Sequence, residues 1–287
     1  MLAIISDIHG NLEALTAVLA DIEKRGVPDI LCLGDVLGYG PNPIECLDLI
    51  RERCRVTIMG NHDFAVFYEP YNFNTGAESA AYWTRGQLDA EPDPAKKASR
   101  WQFVATLPVR REFSQEGRRF QAVHASPRRP INEYVFPDDI YTNPGKFQAL
   151  FDRLGVTHPP NLESPPPSAN GQSTAVLPFG STARYCFLGH THVPGVFLPG
   201  PDFYSPDETG GKFTLDPNGK ALINVGSVGQ PRDRDPRSSY AILSTIPGGP
   251  PTVEFVRVEY DVMATKRKVE EIEELDDFLG SRLLEGR

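Results

Sequence analysis

The chain opens on short apolar runs that alternate with patterns of helical period. Residues 2–6 (LAIIS) are apolar up to Ser6, a length that suits a buried strand. Leu12, Leu15, Val18, Leu19 and Ile22 recur at three- and four-residue spacing and predict an amphipathic helix ending near Gly26. A second strand is predicted over 29–34 (DILCLG). A second helix opens at Pro43, with Ile44, Leu47 and Ile50 on one face. A third strand is predicted over 55–60 (RVTIMG). This βαβαβ order predicts a largely parallel, buried sheet with right-handed crossovers.

Residues 77–107 carry a helical pattern broken at Pro92–Asp93–Pro94. Two strands follow near 109–113 and 119–124, then a helix over 143–154. Residues 158–180 hold Pro159, Pro160, Pro165, Pro166, Pro167 and Pro178 among Ser, Asn and Gly, and read as an irregular surface insertion. Beyond it, RYCFLGH, GVFLPG, KALINVGS, SYAILST and TVEFVRVEY predict a second set of strands, mostly antiparallel and hairpin-linked. A charged amphipathic helix is expected over 261–284, with Val269, Ile272, Leu275, Phe278 and Leu279 on its apolar face.

With 40% hydrophobic and 23% charged residues in 287, the composition is globular and excludes a disordered or fibrous chain. No apolar run approaches the ~20 residues that cross a bilayer. The first run lacks the basic flank and cleavage site of a secretion signal. A cytoplasmic protein with no membrane partner is expected. The net charge of −9 argues against nucleic acid as a partner, because neutralising phosphates needs clustered cations. Cys32, Cys46, Cys54 and Cys186 form no CxxC pair and read as structural thiols of a reducing compartment. No feature assigns an oligomeric state.

Polar residues of a particular kind sit just beyond the strands. Asp7 and His9 come after the first, Asp35 after the second, and Asn61, His62 and Asp63 after the third. His124 comes after RFQAV, and His190 and His192 after RYCFLG. Ligands of open α/β sheets bind outside the carboxyl ends of the strands. Five of the 6 histidines sit at such ends; only His158 lies elsewhere, in the Pro-rich stretch. Imidazole with carboxylate suits Mn, Fe, Co, Ni or Zn. The candidate ligands outnumber the three or four that one such ion takes, so a two-metal site is the economical expectation.

The ordered set SDIHGN, GD, GNHD, the lone histidine of AVHAS, and GHTH resembles the calcineurin-like metallophosphoesterase superfamily, from Ser6 to about Asp235. The segments GDVLGYGPNP and NVGSVGQPRD further resemble its compact bacterial and archaeal phosphodiesterase branch. The resemblance implies an α/β (α+β) fold: a four-layer αββα sandwich with helices outside two facing mixed β-sheets. Residues 1–287 would form one domain, with a helical insertion near 68–107 and a Pro-rich insertion near 128–183. Those insertions would either cap the site or decorate the surface.

The same resemblance implies that Asp7, His9 and His192 hold one divalent metal ion, and Asn61, His124 and His190 a second. Asp35 would bridge them, one ion on each oxygen, with the ions sharing a water or hydroxide that attacks the phosphorus. His62 would assist the leaving group without being a ligand. Asp63 would accept a hydrogen bond from the His62 ring, cap the following helix, or both. Asn11 would be a helix cap or a phosphate contact. Tyr39, Asn42, Arg232 and Asp233 fall in loops near the implied pocket, and Arg232 would bind phosphate or form a surface salt bridge. The glycines before ligands (Gly34, Gly60, Gly189) imply close chain approach.

The implied activity is hydrolysis of a small phosphoester, a nucleotide among the options. A phosphodiester comes first, a phosphomonoester (nucleotide or Ser/Thr phosphoprotein) second, and a non-catalytic metal-binding scaffold third. GDVLGYG and MGNHD lack the arginines that Ser/Thr protein phosphatases carry in those motifs, which speaks against a phosphoprotein substrate.

Overall fold

The computed structural model describes residues 1–156 and 182–287. The Pro-rich stretch at 158–180 lies outside the described residues. From the N-terminus, β1 (Leu2–Ile5), α1 (Leu12–Lys24), β2 (Ile30–Cys32), α2 (Pro43–Arg53) and β3 (Val56–Thr57) keep the expected βαβαβ order. β1 is buried along its whole length, as a strand covered on both faces must be. α1 begins where the Asn11 side chain accepts the Ala14 N–H at 3.1 Å, and it buries Ala14, Leu15, Val18, Leu19 and Ile22, the stripe its spacing predicts. β3 is shorter than expected. Its ladder ends at Thr57; the Ile58 N–H still donates to Cys32 O at 3.0 Å, and the Met59 N–H turns away to Pro108 O at 2.9 Å, so that the chain leaves the sheet toward Gly60 and Asn61.

Three helices come next: α3 (Asn61–Phe67), α4 (Thr75–Asp89) and α5 (Pro94–Ala105). Asp93 caps α5 just after the expected break. β4 (Arg110–Gln115) and β5 (Arg118–Val123) form a hairpin with Glu116 and Gly117 at its tip, both at positive φ, the geometry of a two-residue turn. α6 (Asp139–Thr142) and α7 (Pro144–Phe151) complete the first half. The second half holds β6 (Tyr185–Leu188), β7 (Gly195–Leu198), β8 (Asp202–Tyr204), β9 (Lys212–Thr214), β10 (Ala221–Asn224), β11 (Ser238–Ser244) and β12 (Thr252–Val258).

These strands make two six-stranded mixed sheets, in the orders β3-β2-β1-β11-β12-β9 and β4-β5-β6-β10-β7-β8. The expected second set of strands is therefore divided. β9, β11 and β12 complete the N-terminal sheet, and β11 runs antiparallel to β1 with Leu2 opposite Leu243. In the other sheet β6 is parallel to both neighbours, β5 and β10. The inner faces meet through Ile4, Leu33, Ala241 and Phe255 on one side and Phe120, Phe187, Val196 and Ile223 on the other. α1 and α2 cover the outer face of the first sheet, and α7 that of the second. This is the four-layer αββα sandwich. Each fully buried Leu, Ile or Phe in it stabilises by about 1.5–3 kcal/mol.

The expected C-terminal helix breaks into α8 (Val262–Glu270), α9 (Asp277–Ser281) and a closing 3-10 turn at Arg282–Leu284. Glu270, Glu271, Glu273 and Glu274 put like charge at the negative end of a helix, which disfavours its continuation. Asp276 then caps α9 through the Phe278 N–H at 2.9 Å. Val269, Leu275 and Leu279 are buried as expected, but the break turns Phe278 out to 60% exposure.

Candidate metal centre

The loops after β1, β2, β3, β5 and β6 converge, so Asp7, His9, Asp35, Asn61, His62, His124, His190 and His192 lie together. None of them is more than 8% exposed. Asp7, His9, Asp35, His190 and His192 all hold φ between 49° and 65°, the left-handed region that costs a non-glycine residue about 1–3 kcal/mol. Cross-loop hydrogen bonds enforce it. The Asp7 N–H donates to Gly34 O at 3.0 Å and the His9 N–H to Asp35 O at 2.9 Å; the His190 N–H donates to Asp7 Oδ2 at 3.1 Å. Two glycines allow the approach. A Cβ on Gly34 (φ +93°) would fall 2.4 Å from the Gly60 nitrogen, and one on Gly60 would fall 2.0 Å from Asp35 Oδ1.

The imidazoles are oriented from behind. Nδ1 of His9 faces Leu37 O at 3.2 Å, that of His124 faces Leu33 O at 3.0 Å, and that of His192 faces Gln230 O at 2.5 Å. A carbonyl only accepts, so each Nδ1 carries the proton and, in the neutral ring, each Nε2 turns a lone pair inward. His9 Nε2 lies 3.4 Å from His192 Nε2, and His124 Nε2 lies 3.2 Å from His190 Nδ1 and 3.0 Å from Asn61 Oδ1. Asp7 Oδ1, 3.1 Å from His192 Nε2, accepts no hydrogen bond among the described residues. Acceptors facing one another at these distances fit a cation held between them. Asp7, His9 and His192 form one such group, and Asp35, His124 and His190 another.

Asp35 faces both groups, but not as expected. Its Oδ2 alone lies 3.7 Å from His9 Nε2 and 3.3 Å from His124 Nε2, while its Oδ1 accepts the His62 N–H at 2.8 Å. One oxygen, not two, is presented to the pair of groups, because the backbone of α3 holds the other.

Burial opposes charge throughout the cluster. At Asp7 the His192 and His124 rings outweigh it, and at Asp35 the His124 and His62 rings do, so both carboxyls are held below the usual range. Burial also works against a charged His124, but Asp35 and Asp7 outweigh it and raise His124 to about 9. Burial depresses His9, His190 and His192, and pushes His62 down to about 4.

Metal-stripped protein is therefore expected to lose stability as pH falls from about 7 to 5. Unfolding returns the depressed imidazoles to about 6.5, so the unfolded chain binds more protons and acid favours it. His62 alone contributes a loss of roughly 2 kcal/mol by pH 5, about 1.5 units at 1.36 kcal/mol per unit. Two groups act oppositely and offset part of this: His124, whose contribution is full below pH 6.5 and lost as pH rises through about 9, and Asp63, raised to about 7 by burial and the Asp35 charge, which takes up a proton in the fold as pH falls. Thermal unfolding of chelator-treated protein across this range checks the sign; a Tm that rises toward pH 5 would contradict it.

The His62 ring packs tilted against Tyr39 and Phe73 and edge-on to His9, with centroids at 4.3, 4.6 and 4.8 Å, and among the described residues its buried Nδ1 has no partner. It also groups with His9 and Asp35 within 4.8 Å. The hydrogen bond expected from its ring to Asp63 is not made. Asp63 is fully occupied elsewhere: Oδ2 accepts the N–H groups of Asp35 (2.8 Å) and Gly60 (3.0 Å), and Oδ1 those of Val36 (3.0 Å) and Leu37 (3.1 Å). Asp63 thus caps α3 and ties it to the loop that presents Asp35. In Asp63→Asn, either amide flip sets an NH2 group against two backbone donors. A loss of about 2–4 kcal/mol is expected, measured by denaturant unfolding; a loss under ~1 kcal/mol would show that these bonds contribute little.

Asn11 is likewise held by hydrogen bonds within the chain. It caps α1, the first of its two expected roles, and in addition its Oδ1 accepts from the Thr265 hydroxyl at 3.0 Å and its Nδ2 donates to Gly229 O at 2.8 Å, which clamps it onto α8. Asn42 precedes α2 and donates to Glu45, and Asp233 pairs with Arg257. Arg232 lies over the Tyr39 ring at 5.9 Å and donates to Gln230 Oε1 at 2.9 Å. Among the described residues it has no carboxylate partner, so the alternative of a surface salt bridge is not realised. Phe73 and Tyr134, whose ring stacks on His190 at 4.1 Å, were not expected. They come from the insertions, where no polar motif marks them.

The family model for calcineurin-like phosphoesterases matches residues 1–194. An uncharacterised protein of Methanocaldococcus jannaschii is 35% identical over 290 residues, covering 100% of this chain and 98% of that protein. The crystal structure of a metallophosphoesterase from Sphaerobacter thermophilus superposes with a TM-score of 0.72 at 34% identity, covering 100% of this chain and 98% of that one. A hypothetical protein of Pyrococcus horikoshii OT3 shares the fold, with a TM-score of 0.68 at 17% identity over 100% and 99% of the two chains. Among the described residues no helix is long and apolar enough to cross a membrane. With its sandwich fold and its cluster of imidazoles and carboxylates, the chain belongs to the calcineurin-like phosphoesterase family of metal-dependent enzymes.

Proposed function

We propose that the chain is a phosphodiesterase working with two divalent transition-metal ions. The observation that carries this reading is the set of inward Nε2 atoms, those of His9 and His124 facing Asp35 Oδ2 and that of His192 facing Asp7 Oδ1 and His9. Asp7, His9 and His192 would hold one ion and Asn61, His124 and His190 the other, with Asp35 touching both. Bound there, the ions would supply Lewis acidity at the phosphoryl oxygens and a nucleophile near neutral pH.

The side chains around them bind and move protons. Arg232, whose buried Nε has no acceptor among the described residues, would bind a phosphate oxygen. Burial keeps the free His62 ring neutral, so it would take up its second proton with the anionic substrate and give it to the leaving oxygen, its orientation fixed by the aromatic rings around it. Asp63 acts through the backbone, holding Asp35 and His62 in register. The arginine-free loops GDVLGYG and MGNHD support the singly charged diester over the more highly charged monoester. The presence of strands from both halves in each sheet supports a single domain, and the four free cysteines, three of them buried, support a cytoplasmic location.

The test compares hydrolysis of bis-p-nitrophenyl phosphate and p-nitrophenyl phosphate with added Mn²⁺. Faster diester turnover is expected. Faster monoester turnover would make the chain a phosphomonoesterase, and turnover of neither would leave a metal-binding scaffold.

A further inference from the structure

The segment between β5 and α6 places two large aromatic rings on the surface beside the metal centre. Val135 is buried in the core under the second sheet, while its neighbours Tyr134 and Phe136 point the other way, 44% and 42% exposed. Their rings stack at 5.3 Å and 6°. Tyr134 also stacks on His190 at 4.1 Å and 23°. The three rings form a ladder that starts at an imidazole of the metal centre and ends in solvent.

The backbone beneath this ladder is braced. The Ala125 N–H donates to Pro130 O at 2.8 Å, and the Glu133 carboxylate holds both the Ser126 hydroxyl and the Arg128 guanidinium. The Phe136 N–H donates to Asp139 Oδ2 at 2.8 Å, and Lys146 pairs with the same oxygen at 2.6 Å. A ligand that stacks here does not first have to order the loop. Exposed aromatic faces on a fixed support are what a planar base needs, since stacking tolerates any base that offers a π-face.

We infer that Tyr134 and Phe136 form a stacking platform for a nucleobase, so that the preferred substrate is a phosphodiester carrying a nucleoside. This rests on the phosphoesterase reading above and deepens it. Phe136 is the residue to change, because it touches Tyr134 and not the metal-facing imidazole. The comparison uses thymidine 5′-(p-nitrophenyl phosphate) and methyl p-nitrophenyl phosphate, which share leaving group and charge and differ in the nucleoside. Wild type should favour the nucleoside ester, chiefly through KM. Phe136→Ala should shrink that preference by about tenfold, the scale of losing one stacking face, with metal content unchanged. Phe136→Trp should restore it.

Equal use of the two esters by wild type, or a preference untouched by Phe136→Ala, would overturn the platform and leave the phosphoesterase reading standing. Failure of wild type to turn over either ester would instead count against that reading. The platform is then judged by calorimetry with adenosine 5′-monophosphate and methyl phosphate. Tighter binding of the nucleotide that Phe136→Ala abolishes supports it, and equal binding of the two ends it.

Discussion

Asp35→Asn is expected to abolish turnover and to release metal from both groups at once. The Asp35 carboxylate has two different neighbours: Oδ1 accepts the His62 N–H, and Oδ2 lies between His9 and His124. An amide meets one of these needs at a time. With its oxygen on the His62 N–H, its NH2 group points at the inward Nε2 atoms and blocks a cation. With its oxygen inward, the NH2 group collides with the His62 N–H and the negative charge is gone. Metal affinity should fall by more than the ~10–100-fold typical of groups that merely orient a ligand. Elemental analysis after dialysis checks it: two ions per chain at full occupancy in the variant would sink the bridging assignment.

His62→Gln should do the opposite with metal while still losing catalysis. The ring packs among Tyr39, Phe73 and His9, and its proposed task is to give a proton. General acid catalysis is worth about 10²–10⁴-fold, roughly 3–5 kcal/mol at 1.36 kcal/mol per decade. The loss should depend on the leaving group. p-Nitrophenolate departs without help and should be least affected; an alkoxide such as a ribose oxygen needs the proton and should be most affected. Equal losses on both would assign His62 to electrostatic stabilisation of the transition state. Loss of metal would make it a ligand, a role that its grouping with His9 and Asp35 keeps open to test.

The parts of the molecule legible in the sequence are those governed by local pattern. α1 and α2 arise from three- and four-residue spacing, β1 and β2 from short apolar runs, and the gathering of polar groups from their position just after strands. The partners of those groups are a different matter. Asp63 accepts four N–H groups, three of them from the loop around residues 35–37, and nothing in GNHD announces that. The same holds for Asp35, whose second oxygen is claimed by a helix that starts 26 residues later. Short edge strands were also hidden. β8 and β9 have three residues each, half exposed, and exist because β7 and β12 offer them an edge. The split of the C-terminal helix depends on charge at a helix end, which apolar periodicity ignores.

The insertion of β11 beside β1 bears on how the chain is made. Leu2 meets Leu243, so β1 leaves the ribosome and waits for a strand 241 residues further along the chain. At ~5–20 residues per second that wait is roughly 12–50 s. Throughout it, Leu2–Ile5 presents four apolar side chains and an unpaired row of backbone N–H and C=O groups, the template on which strands of other chains add. Contacts so distant in sequence also form slowly once the partner is available. Soluble yield during synthesis should therefore be governed by how well nascent chains are kept apart before residues 238–258 emerge, more than by the stability of the finished sandwich.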